Sequence, residues 1–527
     1  MRRIQASAWL LVLLSTALQI VIFPLPNLYP LCWVALAPLL VALLRAQRPD
    51  TLQLSESPKL LPASPWQGFA LGYVCGILWY AGTCYWIYAT MHQYGGMSAP
   101  VALFVLLLFC MYLGLYHGLF GLLVSLTAGK GDGLRRVLVA VPFLWVGVEL
   151  ARTRITGFSW ILLGIAQVDN VPLARIASVT GVYGLSFEIM LVNTALAAAF
   201  LVRREKRNVL LVAGLAAAVV LQAGRWITAP RAVPDHTALL VQENVPVLQA
   251  DDWTKTYFTD TLQELQRLSV YPPNANTQHF DLIVWPESPA PFYTGDAFFR
   301  GAVSEAARES KAWVIAGSIG VRNSMETPLP PMQLFNSAAL VSPEGDWTGR
   351  YDKMHLVPFG EYVPLRPIFS FAGGLTAAVG DFAKGTARAP LDAGGTKVGV
   401  FICYESIFPD EVRQFANHGA QVLVNISNDG WYGDSGAYAQ HLAQTRMRAI
   451  ENNRWLLSAT NTGVTASIDP FGRVIARAER KIRTAMAAPY ALTSVTTFYT
   501  RHGDWFAYLC AIISLGALCM RFLPRNE

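Results

Sequence analysis

Charged side chains are scarce in this sequence. Of its 527 residues only 14% are Asp, Glu, Lys or Arg, whereas 53% are hydrophobic and the mean hydropathy is +0.35. Soluble proteins typically carry about 25% charged residues. The shortage excludes an ordinary soluble protein and favours a chain that lies in a lipid bilayer.

Cysteine is almost missing from the less apolar part of the chain. Six of the seven cysteines lie in or beside long apolar runs, and only Cys403 lies in residues 229–503. A single cysteine excludes a disulfide framework or a cysteine metal cluster in that region. The eight histidines include no pair four residues apart, and the sequence has no glycine-rich phosphate loop. No metal and no cofactor are therefore expected, and the solitary thiol suggests a functional role.

Long apolar runs fill residues 1–228. Crossing the hydrocarbon of a bilayer takes about 20 apolar residues, and the runs here are close to that length. The sequence predicts a polytopic α-helical membrane domain of about eight spans, seven in residues 1–228 and one in residues 504–527. The spans are expected near 7–25, 29–46, 68–90, 99–127, 136–151, 171–202, 208–225 and 504–523.

The loops between these runs differ in charge. Alternate loops hold clusters of Lys and Arg, beginning with Arg2 and Arg3, whereas the opposite loops "FPLPNLYP" and "HQYGGMSAP" hold none. Because loops rich in Lys and Arg stay in the cytoplasm, residues 229–503 are expected outside it. One loop, with Arg152 and Arg154, weakens the pattern without reversing it. The basic loops account for the net charge of +6, so no nucleic-acid partner is expected.

Residues 229–503 have the composition of a globular domain. Short β-branched runs such as "DLIVWPES" (281–288) and "KVGVFICYE" (397–405) alternate with helical patterns such as 252–270 and 436–453. Strands interleaved with helices indicate an α/β layered domain. Because the strands are almost continuously apolar, the sheet is expected to be covered on at least one face.

Three polar features interrupt this pattern at strand ends or in loops. They are "WPES" with Glu287, "RYDKMHLVPFGEYVP" with Lys353 and Glu361, and "CYES" with Cys403 and Glu405. A nucleophilic cysteine needs a base to form its thiolate and a positive group to stabilise an oxyanion. A carboxylate, an ammonium and a thiol meet these needs. Taken singly, each also has a plainer interpretation, as a turn cap, a solvated loop cation or inert packing.

Together these motifs resemble those of the nitrilase, or carbon–nitrogen hydrolase, superfamily, in which Glu, Lys and Cys occur in that order. "WPES" is similar to its glutamate motif, "RYDKMHLVPFGE" to its lysine motif, "VFICYES" to its cysteine motif and "NISNDGWYG" (425–433) to the segment that follows. The resemblance covers about 238–480. Seven spans before such a domain and one after it resemble the apolipoprotein N-acyltransferase family.

The resemblance implies an αββα-sandwich, nitrilase-like domain over residues 229–503 and a role for each matching residue. Glu287 would be the general base, Lys353 would stabilise the tetrahedral oxyanion and Cys403 would be the nucleophile. Glu361 matches a second acid that helps to fix the site. Supporting roles are implied for Tyr404, Glu405 and Trp253.

The family also implies a reaction. A fatty acyl chain moves from a membrane phospholipid, through a cysteine thioester, to the N-terminal amine of an S-diacylglyceryl-cysteine apolipoprotein. The expected partners are the phospholipid donor, this lipoprotein acceptor and the lipid bilayer, with the chain itself a monomer. The expected location is the bacterial inner membrane, with residues 229–503 facing the periplasm. The apolar loops 290–299 and 369–382 are expected to act as lids that keep water from the thioester.

Other functions remain open on the residues alone. A membrane-anchored nitrilase or amidase acting on a small nitrile or amide would use the same Glu, Lys and Cys. A transporter or sensor would place ionisable residues inside its spans, where Glu149 and Glu188 are the main candidates. A Cys–His protease lacks its papain-like signature here, and its histidine would be His355, His418 or His441.

Overall fold

The chain forms two compact units in a computed structural model. The helical unit comprises Met1–Tyr88, Ala99–Ala229 and Asp504–Glu527, and the sandwich unit comprises Ala89–Ser98 and Pro230–Gly503. Most of the expected lid loop 369–382 lies outside the described residues. The structure describes residues 3–47, 61–128, 133–201, 204–223, 232–248, 252–273, 279–288, 290–323, 332–362 and 382–520.

The helical unit contains several apolar helices. Within the described residues, Ala99–Ala128 and Val182–Leu201 are each long and apolar enough to cross a membrane, and Pro65–Thr83 with Trp86–Tyr94 adds a third if this bent pair is one span. Shorter helices occupy other expected spans, so the total of eight stays a prediction. The α-helices are Ala6–Val21, Cys32–Ala35, Ala37–Leu44, Pro65–Thr83, Trp86–Ala89, Ala99–Ala128, Gly133–Ala151, Val171–Ala174, Ala177–Thr180, Val182–Leu201, Arg204–Ala223 and Trp505–Cys519.

Two more of the expected spans are interrupted, in addition to 68–90, which contains the bend between Thr83 and Trp86. The run 29–46 breaks at Leu36, where the side-chain oxygen of Asn193 accepts hydrogen bonds from two backbone N–H groups at 2.8 and 2.9 Å. The run 171–202 breaks at Gly181, whose φ of +67° ends the short helix before it. At Leu36, the side chain of Asn193 accepts the hydrogen bonds that the helix break leaves unmade. At Gly181, the residue has no Cβ and therefore adopts a positive φ without strain.

Glycines allow two helices of this unit to pack closely. A Cβ on Gly72 would lie 2.2 Å from the carbonyl oxygen of His117, and one on Gly121 would lie 2.1 Å from that of Gly68. Small residues four apart let helix backbones approach in this way. The helices are Pro65–Thr83 and Ala99–Ala128, and the glycines of the first that face the second are Gly68, Gly72 and Gly76.

The sandwich unit is built on two six-stranded sheets. The first has the order β12-β1-β2-β3-β4-β5 and the second β11-β10-β9-β8-β7-β6. At the centre of each sheet three neighbouring strands are parallel: β1, β2 and β3 in the first and β7, β8 and β9 in the second. The strands β1 to β12 are, in order, His236–Gln242, Leu282–Val284, Trp313–Asn323, Met332–Val341, Trp347–Asp352, Leu391–Ala393, Thr396–Ile402, Val422–Ser427, Leu456–Thr460, Ala466–Ile468, Val474–Arg477 and Thr484–Tyr490.

The sheets pack face to face, with helices outside them. Along β1, Leu240 belongs to the core shared with the second sheet, whereas Leu239 belongs to a core shared with the helices Lys255–Val270 and Ala297–Ser310. This alternation follows from the period of two in a strand. Outside the second sheet lie Pro409–Asn417 and Ala437–Asn452. A further short helix is Phe498–His502. The unit is a helix–sheet–sheet–helix sandwich, which confirms the α/β layers expected from the strand and helix patterns.

Candidate active site

Cys403 lies at the end of a buried parallel strand. It follows Ile402, the last residue of β7, and begins the 3-10 helix Cys403–Ile407. Its φ is +50°, in the left-handed region. A residue with a side chain adopts such a conformation at a cost of about 1–3 kcal/mol, which is common where direction matters for function. The turn therefore fixes the thiol at the carboxyl edge of the second sheet.

Glu287 lies at the carboxyl edge of the first sheet. It follows β2, which runs parallel to β1 and β3, and its side chain is buried. Its Oε2 accepts a hydrogen bond of 2.8 Å from the backbone N–H of Asn428, just beyond the end of β8. A carboxylate of one sheet is thereby bound to the backbone of the other, at the edge where the parallel strands end.

Lys353 is bound between two carboxylates. Its side chain is 1% exposed, and its Nζ lies 3.3 Å from Oε1 of Glu287 and 2.9 Å from Oε1 of Glu361. Burial alone would lower the pKa of Lys353, but the charges of Glu361 and Glu287 raise it above its ordinary value. Lys353 is therefore a fixed positive charge in the site.

Asn336, in β4, completes this charged cluster. Its Nδ2 donates hydrogen bonds of 2.6 Å to Oε1 of both Glu287 and Glu361. Glu361 is held from its other side, because its Oε2 accepts a bond of 2.7 Å from the backbone N–H of Val357. Two carboxylates, the Lys353 ammonium and one amide thus form a connected network whose members have little freedom to move.

The thiol of Cys403 is buried near this network. Burial raises the pKa of Cys403 well above its ordinary value, and the charge of Glu287 raises it further. The charge of Lys353 and a hydrogen bond with Ser427 act in the opposite direction, while Asp429 adds to the rise. The resting thiol is therefore protonated at neutral pH. A base has to remove its proton as the sulfur attacks.

Glu405 connects the cysteine turn to the lysine loop. Its Oε2 accepts a bond of 2.8 Å from the N–H of Ile402, and its Oε1 accepts bonds of 2.9 and 3.1 Å from the N–H groups of Met354 and His355. The hydroxyl of Tyr351 donates to the same Oε1 at 2.7 Å. One buried carboxylate therefore sets the position of the two segments that carry Cys403 and Lys353.

Tyr404 and Trp253, also expected near the site, have different surroundings. The ring of Tyr404 is buried, 5.7 Å from His355 and 5.2 Å from Phe408. Trp253 is partly buried against the outer core of the first sheet, with its ring 5.1 Å from Tyr257. The structure thus brings Glu287, Lys353, Glu361 and Cys403 into one electrostatic cluster, while the place of Trp253 in the site stays a prediction.

Three further groups near the site have little signal in the sequence. Asn336 is a single amide in the apolar strand "NSAALV", and its only local signal is that break in the pattern. Asp429 lies in "NISNDGWYG", which was noted only as a resemblance. His441 was considered as a protease partner, yet its ring contacts Asp429 and the Cys403 carbonyl. Their partners are distant in sequence, so spacing alone cannot reveal them.

The two parts of the chain each match a family. Residues 240–497 match the Carbon-nitrogen hydrolase family, and residues 15–195 match the Apolipoprotein N-acyltransferase N-terminal domain. The first match covers the two sheets and the charged cluster. The second covers most of the helical unit. The nitrilase-like fold of the C-terminal part, expected from its motifs, is therefore confirmed.

Whole proteins are similar along almost the entire chain. The apolipoprotein N-acyltransferase of Geobacter metallireducens is 36% identical over 511 residues, which are 95% of this chain and 93% of that protein. That of Methylococcus capsulatus is 36% identical over 88% of this chain and 90% of its own length. That of Nitrosomonas europaea is 33% identical over 88% and 90%. The chain belongs to the apolipoprotein N-acyltransferase family.

Proposed function

We propose that this chain is an N-acyltransferase that moves a fatty acyl chain from a membrane phospholipid to the N-terminal amine of an S-diacylglyceryl-cysteine apolipoprotein. The observation that carries the proposal is the match of both units: a relative that is 36% identical over 95% of the chain is an apolipoprotein N-acyltransferase. The nitrilase-like sandwich by itself would fit a small-amide hydrolase equally well. The N-terminal match does not favour that alternative.

In the first step, Cys403 attacks the ester carbonyl of the phospholipid. Glu287 takes the thiol proton as the sulfur–carbon bond forms, and Lys353 stabilises the oxyanion. Two N–H bonds of its ammonium are directed at Glu287 and Glu361, and we assign the third to the developing negative oxygen. The ester C–O bond then breaks. The leaving lysophospholipid takes the proton from Glu287, so a thioester remains on Cys403.

In the second step, the amine of the lipoprotein attacks the thioester. Glu287 takes a proton from the attacking nitrogen, the C–S bond breaks, and the thiolate of Cys403 is released and reprotonated. The product amide is far less reactive than the thioester, so the transfer runs in one direction. The two products leave at different stages, which makes the kinetics ping-pong.

The architecture proposed with this function is membrane-bound. Eight spans, seven in residues 1–228 and one in residues 504–527, would place residues 229–503 in the periplasm beside the bacterial inner membrane. The alternation of basic and uncharged loops supports this orientation. The acyl donor supports a membrane-bound enzyme, because burial of each CH₂ of its chain stabilises it in the bilayer by about 0.8 kcal/mol. A monomer suffices for the chemistry described.

The test uses purified full-length protein in detergent with a phospholipid that carries a labelled acyl chain. With a diacylated lipopeptide present, we expect label on the peptide amine; without it, mass spectrometry should find one acyl group on the peptide that contains Cys403. Cys403→Ala should abolish both signals, whereas Cys519→Ala, at an exposed cysteine, should keep both. Acylation that persists in Cys403→Ala, or release of ammonia from a soluble amide without transfer, would contradict the proposal.

A further inference from the structure

His441 makes contacts next to the nucleophile that the reaction above does not use. It lies on the helix Ala437–Asn452 and is 2% exposed. Its Nδ1 lies 3.1 Å from Oδ1 of Asp429, and its Nε2 lies 3.1 Å from the backbone oxygen of Cys403 and 2.7 Å from Oγ of Ser406. The ring therefore connects a buried carboxylate to the peptide group of the nucleophile.

The chemistry of these partners fixes where the protons of His441 lie. A backbone carbonyl oxygen only accepts hydrogen bonds, so the Nε2 that contacts Cys403 carries hydrogen. The carboxylate of Asp429 likewise accepts, so Nδ1 carries hydrogen too. Burial would lower the pKa of His441, but the charge and hydrogen bond of Asp429 and the Cys403 carbonyl raise it above its ordinary value. The geometry describes an imidazolium paired with a carboxylate.

The carboxylate is itself held tightly. Asp429 is 3% exposed, and the hydroxyl of Ser427 donates to its Oδ1 at 2.7 Å. On its other side, a Cβ at Gly463 would lie 2.1 Å from Oδ2 of Asp429, so glycine there leaves just enough space. Strand β8, which ends at Ser427, thus fixes the carboxylate, and the carboxylate fixes the ring of His441.

The carbonyl that His441 binds belongs to the residue with the left-handed backbone. At a φ of +50° the Cys403 peptide is in a sparsely populated conformation, and surrounding contacts have to maintain it. A hydrogen bond to that carbonyl restrains the rotation that would relieve the conformation. The same rotation would turn the Sγ of Cys403 away from Glu287 and Lys353.

We propose that His441, protonated and paired with Asp429, is a positioning residue that holds the Cys403 carbonyl and so keeps the thiol directed at the reacting ester. The inference rests on the proposed function, because it assumes that Cys403 is the nucleophile. His441 is not the base of a Cys–His pair, since both of its ring nitrogens already donate to other groups.

Two substitutions of similar size separate this role from simple packing. In His441→Gln, the longer amide keeps an N–H that reaches the Cys403 carbonyl. In His441→Asn, the shorter amide still donates a hydrogen bond to Asp429, but it no longer reaches the backbone carbonyl of Cys403. We expect the rate of thioester formation to fall about 10²-fold in His441→Asn, as for a misplaced reacting group, and to stay within about tenfold of wild type in His441→Gln, with KM for phospholipid unchanged in both.

Asp429→Asn tests the ion pair without changing His441. The amide of Asn donates to Nδ1 and leaves the hydrogen of the neutral ring on Nε2, so the bond to the Cys403 carbonyl loses its charge but keeps its donor. The rate should fall by about tenfold, less than in His441→Asn, because a charge-assisted bond is the stronger one. This variant serves if His441→Asn does not fold, and a wild-type rate would overturn the role of the ion pair. Ser406→Ala is the control, because it leaves Nε2–H entirely to the Cys403 carbonyl and should change the rate by no more than about threefold.

The outcomes distinguish the two proposals. Full activity of His441→Asn in a protein that Cys403→Ala inactivates would overturn only the positioning role. Equal losses in His441→Asn and His441→Gln, or a raised KM with unchanged kcat, would also overturn it, since they indicate general packing or substrate binding. An acyl-enzyme that persists in Cys403→Ala would instead overturn the assignment of Cys403 as the nucleophile.

Discussion

Five of the six cysteines of the helical unit are buried, as is the single cysteine of the sandwich unit, but their surroundings differ from those of Cys403. Cys32 contacts the amide of Gln167 at 3.0 Å, and Cys75 contacts Thr16 and Gln19 at 3.3 and 3.4 Å. These neighbours are neutral. Cys403 instead has a left-handed backbone and the charges of a carboxylate and an ammonium beside it. Burial alone therefore does not distinguish Cys403 from the other buried cysteines, whereas its backbone conformation and the opposite charges of Glu287 and Lys353 do.

Buried ionisable groups show the same contrast. In the helical unit, Glu149 accepts a hydrogen bond of 2.8 Å from the N–H of Leu163, and Arg152 donates one of 2.7 Å to the hydroxyl of Tyr80. These bonds join segments that are 14 and 72 positions apart in the chain, which favours a structural role over the ion path considered from sequence. In the sandwich unit, Lys353 binds two carboxylates at once. Charge is concentrated there in one place, where we propose that the oxyanion forms.

The largest effect is expected from removing that concentrated charge. Lys353→Met keeps the length of the side chain and removes the ammonium, so the oxyanion loses its donor. We expect thioester formation to slow by about 10²–10³-fold. The measurement is single-turnover acylation of Cys403, followed by mass spectrometry.

The matched control is Lys397→Met, at an exposed position on β7, which should keep the wild-type rate. A wild-type rate in Lys353→Met would show that the charge contributes nothing to the reaction. The contrast between the two units would then lose its functional meaning.

In the helical unit, we expect added side-chain volume between packed helices to lower stability, whereas in the sandwich unit we expect removal of a charge to lower activity. In Gly72→Ala the new Cβ would lie 2.2 Å from the backbone oxygen of His117, so the two helices have to separate. We expect a loss of about 1–3 kcal/mol in the free energy of unfolding, measured as a lower Tm in detergent. The rate constant of the protein that remains folded should change little.

Gly516→Ala provides the control for that change. Gly516 also lies in a helix, Trp505–Cys519, but a Cβ there would meet no atom within 4 Å. Alanine is the better helix former by about 1 kcal/mol, so the Tm should stay or rise. Equal falls in both variants would show that glycine is needed for a reason other than close packing.

The sequence indicated which polar residues lie together in the charged cluster better than it indicated the scaffold that holds them, and their catalytic roles stay a prediction. Glu287, Lys353 and Cys403 stand in short motifs at strand ends, so local pattern and resemblance were enough to single them out. The break at Leu36 was missed because the group that satisfies it, Asn193, is 157 positions away. Asn336 was missed for the same reason: its two carboxylate partners meet it only after the sheets have formed.

Glu243 is a buried carboxyl group of the sandwich unit that lies outside the charged cluster. It is not bound to Lys353, unlike Glu287 and Glu361, so it shows what burial does without that ammonium. Burial raises its pKa from 4.5 to about 8, and the charge of Arg483 offsets only part of this. Between these two values the folded chain holds a proton that the unfolded chain has lost. Stability therefore falls as the pH rises through this window, by up to about 1.4 kcal/mol per pH unit.

Glu243→Gln should remove this dependence, so that its Tm advantage over wild type grows from pH 5 to pH 8. Glu264→Gln is the control. Arg267 lowers the pKa of Glu264, so the contribution of Glu264 to the free energy of unfolding is lost only in acid and stays constant from pH 5 to pH 8. A Tm difference for Glu243→Gln that is flat with pH would mean that the carboxylate is ionised in the folded protein. Burial without an ion-paired partner would then be no obstacle to ionisation of this carboxyl group.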